Sequence, residues 1–312
     1  MGKRKILFID TTHQALVDRL ELQGFECDYF ADYRRQELLQ IADKYTGIII
    51  RSKIKLDADF LMRCSHLKFI GRVGAGMENI DTDFAKKQGI VCLNAPEGNR
   101  NAVGEHAVGM ILTLFNKLIT ADNQVRKGKW IREGNRGYEL GGLTVGIIGY
   151  GNTGGSFAKK LKGFDVEVIA YDKYKQNYSD EFVKELEMVD LFERSDIVSV
   201  HIPFNFETEY LVDAKFINKF RKNIYVVNTS RGKILRTSDL IKCLKSGKVL
   251  GACLDVLEYE ELSFENMKLH DDFQALITME NVVLSPHIAG WTHESNYKMA
   301  SVIADKIEAL DL

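Results

Sequence analysis

Proline is nearly absent from this chain of 312 residues: only Pro96, Pro203 and Pro286 occur. Each directly follows a strand-like segment, where a fixed φ and a missing N–H stop a ladder. Cysteine is scarce as well. Cys27, Cys64, Cys92, Cys243 and Cys253 are odd in number, widely spaced and set in apolar surroundings, with no C-x-x-C pair. This excludes a disulfide framework and a cysteine-based metal site, and it reads as free buried thiols in a reducing cytoplasm. Neither charge sign is in excess: 42 basic against 44 acidic side chains leave a net charge of −2. No surface for nucleic acid or for a membrane is therefore expected. No apolar run approaches the roughly 18 residues that span a bilayer. Lys3-Arg4-Lys5 leads straight into the apolar Ile6–Ile9, which marks a solvated strand end and not a targeting signal. Repeats of about 20 to 50 residues and low-complexity tracts are also missing.

What is present is an alternation of short apolar runs and helix-like segments, in a chain long enough for two domains. Residues 6–9, 47–50, 68–72 and 90–93 read as strands, and 14–22, 36–42 and 57–64 as helices. That order implies a parallel sheet with helices on both faces. A long helix is expected over 102–119, where Val103, Ala107, Met110, Ile111, Leu114 and Leu118 follow helical spacing. Residues 124–142 read as irregular, and Trp130 within them suits a solvent loop or a subunit contact equally. A second alternation has strands at 144–149, 166–171, 196–201, 224–228, 249–254 and 281–285. A last helix over 292–310 is placed to return to the first domain.

The centre of the second alternation is Gly146-Ile147-Ile148-Gly149-Tyr150-Gly151-Asn152-Thr153-Gly154-Gly155. An apolar strand runs into a glycine turn and then into a helix, as dinucleotide binding requires. Gly149 allows the tight turn, Gly151 lets a pyrophosphate approach the backbone, and Gly154 lets helix and strand pack closely. The helix N-terminus adds unpaired N–H groups and partial positive charge. Asp172 ends the next apolar run at the offset expected of a ribose-binding carboxylate, which favours NAD over NADP.

In open α/β sheets ligands bind beyond the carboxyl ends of strands. Arg231 follows the fourth strand of this domain, Glu260 the fifth and His287 the sixth. Singly they would pass for a surface charge, a solvated acid and a core histidine; their common location sets them apart. Together they suit reduction of an oxo acid. Arg231 offers a planar fork to a carboxylate, His287 a proton, and Glu260 a partner that orients the ring and stabilises its protonated form. In the first domain Gly74 and Gly76 flank Ala75 in a loop whose N–H groups suit an anion, and Arg51 ends another strand.

These residues identify a resemblance that covers essentially the whole length. With Gly71-Arg72-Val73-Gly74-Ala75-Gly76-Met77-Glu78-Asn79-Ile80-Asp81, Asn94-Ala95-Pro96, Glu105-His106, the glycine turn, His201-Ile202-Pro203, Asn228 to Gly232, Gly251 to Val256 and Ser285 to Gly290, the chain resembles the D-isomer-specific 2-hydroxyacid dehydrogenases. The resemblance implies two doubly wound parallel-sheet α/β domains with a cleft between them: a flavodoxin-like substrate domain, residues 1–98 plus 287–312, and a Rossmann NAD-binding domain, 99–286. It implies Arg231, Glu260 and His287 as the catalytic set, with Arg231 on the substrate carboxylate. It implies NAD contacts from Gly149, Gly151, Asn152, Thr153, Gly154, Asp172, His201, Pro203, Thr229 and Asp255, the last at the nicotinamide carboxamide. A homodimer through the NAD-binding domains is implied too, with a small 2-hydroxy or 2-oxo acid as substrate and no metal. Within the family, Ile50-Arg51-Ser52 and Gly71-Arg72 look most like the phosphoglycerate dehydrogenases, whose reaction leads toward serine, with Arg51, Arg72, Gly74, Ala75, Gly76 and Arg231 as the substrate contacts the resemblance implies. Lys53-Ile54-Lys55 departs from the usual Ala-Thr-Lys, Asn152-Thr153 replaces a common Arg-Ile, and Glu261 stands where proline commonly follows the acid. A regulatory domain is not expected within 312 residues. Glyoxylate or hydroxypyruvate reduction, and an NAD(H)-sensing corepressor-like role, are the alternatives.

Overall fold

In the computed structural model, residues 4–261 and 270–310 are described. The chain forms two compact units. One runs through Asn99 and resumes at Trp291; the other holds Arg100–Glu260 and the segment that ends at Gly290. Both are α/β.

The first unit carries five parallel strands: β1 Lys5–Phe8, β2 Glu26–Tyr29, β3 Gly47–Ile50, β4 Phe69–Arg72 and β5 Val91–Asn94. Their spatial order is β2-β1-β3-β4-β5, the flavodoxin-like doubly wound arrangement, with its switch point between β1 and β3. The central strands β3 and β4 are buried throughout, as continuous apolar runs in parallel sheets are. β2, absent from the expected strands, is the edge strand Glu-Cys-Asp-Tyr. It escapes the apolar-run signal because it is only half covered, and it is tied to its neighbour by an ion pair of Lys5 with Glu26 at 2.5 Å.

The C-terminal helix His293–Glu308 lies in this unit. It buries Met299, Ile303 and Ile307 against Ile6, Phe8, Ile49 and Phe69. Burial of three such side chains contributes about 5–9 kcal/mol before conformational entropy is charged against it. Gly71 makes room for the helix: a Cβ there would lie 3.1 Å from Ile303 Cγ2 and 2.8 Å from Ile49 Cδ1. Arg19 holds Asp305 and Glu308 at 2.6 and 3.0 Å.

The second unit has seven parallel strands: β6 Thr144–Ile148, β7 Glu167–Tyr171, β8 Lys184–Glu185, β9 Ile197–Val200, β10 Ile224–Asn228, β11 Val249–Leu254 and β12 Val282–Leu284. The order β12-β11-β10-β9-β6-β7-β8 reverses between β6 and β9, which is the switch point of a Rossmann-type sheet. All six expected strands are here; β8, a two-residue edge strand, is additional.

The helices differ more from expectation. The long helix spans Pro96–Phe115, so it begins earlier, with proline near its start where a missing N–H costs nothing. It ends sooner because Lys117 turns left-handed at φ 50°, and a separate helix, Leu118–Arg126, follows. Residues 124–142 are therefore irregular only beyond Arg126. The short helix Thr82–Lys87 was not expected either; it is capped by Asp81, which accepts the Phe84 N–H at 2.9 Å.

Candidate active site

The glycine turn sits at the carboxyl end of β6, beside the switch point. Each glycine meets a different steric demand. Gly149 has φ +92°, and a Cβ there would lie 2.5 Å from the His201 carbonyl oxygen. At Gly154 a Cβ would come within 2.1 Å of the Gly149 oxygen, so helix and strand touch only because that carbon is missing. A Cβ on Gly151, by contrast, would meet nothing within 4 Å. Protein packing therefore does not call for glycine there; the open face is the cradle that a phosphate would fill. The helix Asn152–Leu161 begins next with no side-chain cap, leaving its first N–H groups to an anion. Past the end of β10, the buried Thr229 Oγ1 has no hydrogen-bond partner among the described residues. These features fit a dinucleotide.

Asp172, beyond β7, ties this turn to its own. Its Oδ2 accepts the Tyr150 N–H at 2.8 Å, and its Oδ1 accepts those of Tyr174 and Lys175 at 2.9 and 3.1 Å. Lys173 is held by Glu207 at 2.8 Å. His201 lies beneath the turn. Its ring nitrogens are 2.8 Å from Ser199 Oγ and 3.3 Å from Thr153 Oγ1, and burial pushes its pKa down to about 3. It is a neutral supporting side chain. Pro203 and Asn152 are exposed.

β10, β11 and β12 are adjacent, with Asn228 opposite Leu254 and Leu254 opposite Leu284. Their ends are level, so Arg231, Glu260 and His287 leave one edge of the sheet from three neighbouring strands. Asn228 shapes the Arg231 turn: its Oδ1 accepts the Ser230 N–H at 3.0 Å and its Nδ2 donates to the Arg231 carbonyl at 3.0 Å. The next residue, Gly232, is pressed against the loop that carries Glu260, since a Cβ there would lie 2.0 Å from the Leu257 carbonyl. The Glu260 Oε2 is 2.6 Å from His287 Nδ1, and Oε1 accepts the Leu257 N–H. A carboxylate only accepts, so Nδ1 carries the hydrogen and Nε2 is the nitrogen turned to chemistry. Both side chains are about four-fifths shielded from water.

The backbone of His287 is left-handed, at φ 55°, a conformation that costs a non-glycine residue roughly 1 kcal/mol. Asp255 sustains it. The His287 N–H donates to the Asp255 carbonyl at 2.7 Å. The Asp255 carboxylate, 1% exposed, accepts the N–H groups of Ile288 and Ala289 at 2.9 and 2.8 Å and the Ser285 hydroxyl at 2.6 Å. His106 Nε2 stands 2.9 Å from Ser285 Oγ. Ser285 and His106 belong to this site, yet no spacing in the chain pairs them, because 179 residues separate them.

In the first unit Asp10, at the end of β1, accepts the N–H groups of Arg51, Ser52 and Lys53 at 2.7, 3.0 and 3.2 Å. Arg51 stacks on Trp291, with Cζ 4.1 Å from the ring, and donates to the Thr11 carbonyl at 3.3 Å. The Arg72 guanidinium folds over Gly74, where a Cβ would be 1.6 Å from Nη1, and its Nε donates to the Arg51 carbonyl at 3.1 Å. Ala75 and Gly76 follow, the Ala75 carbonyl accepting Asn94 Nδ2 at 2.7 Å. Neither Asp10 nor Trp291 stands out in the sequence: one is a single acid after a strand, the other a lone aromatic.

Residues 108–289 match the sequence model of the D-isomer specific 2-hydroxyacid dehydrogenase NAD binding domain. The chain is 36% identical over 305 residues to a D-3-phosphoglycerate dehydrogenase of Archaeoglobus fulgidus, covering 97% of this chain and 56% of that protein. It is 35% identical over 283 residues to a glyoxylate reductase of Thermofilum pendens, covering 88% and 81%. A hydroxypyruvate reductase of Thermotoga maritima is 34% identical over 273 residues, with 88% and 87% covered. The chain thus spans just over half of the Archaeoglobus protein but most of the two reductases. Among solved structures, a D-lactate dehydrogenase from Aquifex aeolicus, complexed with NAD and lactic acid, superposes with a TM-score of 0.83 at 26% identity, over 99% of this chain and 95% of that one.

Proposed function

The chain belongs to the D-isomer-specific 2-hydroxyacid dehydrogenases, and from that membership we propose that it interconverts a D-2-hydroxy acid and its 2-oxo acid with NAD, D-3-phosphoglycerate being the preferred hydroxy acid. The observation that carries this reading is the 2.6 Å pair of Glu260 with His287 on level, adjacent strand ends. Bound NAD supplies a hydride donor or acceptor. The glycine turn and the uncapped helix would hold its phosphates, Asp172 and Thr229 its polar edges, and Asp255 its carboxamide. Asp172 repels a 2′-phosphate, and Lys173, engaged by Glu207, does not offset that charge.

Arg231 grips the substrate carboxylate through parallel N–H donors. His287 gives a proton from Nε2 to the C2 oxygen in reduction and takes one from the hydroxyl in oxidation. Glu260 keeps the Nδ1–H in place and stabilises the imidazolium. In the first unit, Arg51, Arg72 and the N–H groups of Ala75 and Gly76 form an anion-binding loop suited to a phosphorylated acid, the Gly74 N–H being taken by the Arg72 carbonyl at 2.9 Å. Glyoxylate or hydroxypyruvate reduction is the second reading, favoured by the near full-length match to reductases of those acids.

A homodimer through the NAD-binding unit is supported by the aromatic and aliphatic side chains exposed along one stretch of it, Ile119, Val125, Trp130 and Tyr138. No helix among the described residues is long and apolar enough to cross a membrane. The described cysteines, all free thiols, are consistent with a cytoplasmic location.

Initial rates of NADH formation with D-3-phosphoglycerate, and of NADH loss with phosphorylated and unphosphorylated 2-oxo acids, test the reading. Faster turnover of glyoxylate than of phosphorylated acids would favour the second. Tight NADH binding without turnover across the panel would favour a sensor.

A further inference from the structure

The Ser285 hydroxyl has one hydrogen and lies between two strong partners. Asp255 Oδ1 at 2.6 Å only accepts, so the hydroxyl donates to it. Ser285 Oγ must then accept from His106 Nε2 at 2.9 Å, which places a hydrogen on that nitrogen. The hydrogen bonds run in one direction, from His106 on the long helix through Ser285 to Asp255. The same Asp255 oxygen receives the Ile288 N–H, its other oxygen the Ala289 N–H, and its carbonyl the His287 N–H. A buried carboxylate is thus wrapped by the turn that contains His287 and pinned from behind by a helix.

From this geometry we propose that His106 and Ser285 are positioning residues for His287. They hold Asp255 in the one orientation that keeps the His287 backbone left-handed and its ring against Glu260. The inference rests on the hydride-transfer reading of His287, since it concerns the precision of that proton donor. Loss of the Ser285 hydroxyl or of the His106 donor frees Asp255 Oδ1 to rotate. The 287–289 turn then samples ordinary φ values, and the imidazole moves away from the reacting oxygen. A displacement of this kind slows the chemical step more than it weakens binding.

The test uses paired variants of the full chain with 2-oxo acid and NADH. Ser285→Ala and His106→Leu are expected to lower kcat roughly tenfold, with KM for the 2-oxo acid within about twofold. Ser285→Thr, which keeps a hydroxyl, and His106→Gln, which keeps a donor at the same reach, are expected to restore most of kcat. Unchanged kcat in the first pair, or equal losses in all four variants, would overturn the proposal. Amide hydrogen exchange gives an answer that does not depend on turnover. His287, Ile288 and Ala289 should exchange at least about tenfold faster in Ser285→Ala and His106→Leu than in the parent or the conservative variants. Unchanged protection would sink the network whether or not the chain reduces any acid. Changed protection without turnover on any acid would leave the network standing and remove the enzymatic reading alone.

Discussion

Gly232 is the point at which one methyl group tests the assembly of the site. Replaced by alanine, its Cβ would lie 2.0 Å from both the Leu257 carbonyl carbon and its oxygen, and 2.4 Å from the Glu258 nitrogen. Ordinary contact begins at 3.4 Å, so the two backbones must part by about 1.4 Å, and no flexible side chain is there to yield. One wall of this contact is the residue after Arg231, and the other leads into Glu260. If the Glu260 loop retreats, its 2.6 Å bond to His287 opens to about 4 Å, beyond hydrogen-bond range. If the other turn retreats, Arg231 leaves its post. Overpacking of this kind costs about 1–3 kcal/mol of stability, and misplacement by over 1 Å costs on the order of 100-fold in rate. Steady-state kinetics of Gly232→Ala separates the two cases: a fall in kcat at constant KM marks movement of the Glu260–His287 pair, a rise in KM marks movement of Arg231. NADH affinity should fall less than turnover, because the glycine turn that would hold the phosphates is on β6, with β9 between it and β10. Gly109→Ala, in the long helix with nothing within 4 Å of the added carbon, is the control. It should gain up to about 1 kcal/mol and keep its rates. If Gly232→Ala is folded and within about threefold of the parent in kcat/KM, the steric coupling of the two turns is wrong.

His287→Ala should lower turnover by at least roughly 100-fold. A near-normal rate would remove His287 from the proton transfer. Arg51→Gln should raise KM for phosphorylated acids selectively, and equal rises for glycolate-sized acids would count against a phosphate role. His201 bears on stability. Its folded-state pKa of about 3 lies below the ordinary 6.5, so the unfolded chain takes up a proton that the folded one refuses. Its contribution is complete above about pH 6.5 and is lost as pH falls toward 3, by about 1.4 kcal/mol per unit. Near pH 4.5 that amounts to 2–3 kcal/mol on the order-of-magnitude scale of linkage. Urea unfolding of the parent and His201→Asn across this range should show a shallower pH dependence in the variant.

The strands that were legible in the sequence carry continuous apolar runs: the inner strands of both sheets, and the edge strands β5 and β12, whose Val91, Leu93 and Val282–Leu284 are apolar even at an edge. The two that escaped, Glu26–Tyr29 and Lys184–Glu185, are edges of mixed or polar sequence, and one of them is only two residues long, so neither leaves an apolar run to read. The helix break at Lys117 escaped because apolar spacing continues across it into the next helix, and spacing does not report a left-handed residue. At the site, Arg231, Glu260 and His287 were legible because each lies just past a recognisable strand. Their supports were not: His106 on the long helix meets Ser285, 179 positions further along the chain, and Gly232 looks like any loop glycine until the neighbouring backbone is seen 2.0 Å away.

Three aspartates at strand ends sharpen this point. Read along the chain, an acid past a strand suggests a ligand contact. In the structure each of them first ties down a neighbouring loop: Asp10 the 51–53 turn, Asp172 the glycine turn through Tyr150, and Asp255 the 287–289 turn. Parallel strands present their carboxyl ends side by side about 4.8 Å apart, and the loops that leave them carry N–H groups with no ladder partner. A carboxylate, with two oxygens and roughly four acceptor sites, can satisfy several of these at once where an amide or hydroxyl cannot. Such an acid therefore reaches a ligand only with the lone pairs its loop leaves over. Asp172 has used three N–H donors and Asp255 two N–H groups and a hydroxyl. Replacement by asparagine removes acceptor capacity from the loop before it removes charge from the ligand. Rate losses in such variants must accordingly be read together with amide exchange in the tied loop, and a loss of dinucleotide affinity with that loop still protected is what identifies a direct contact.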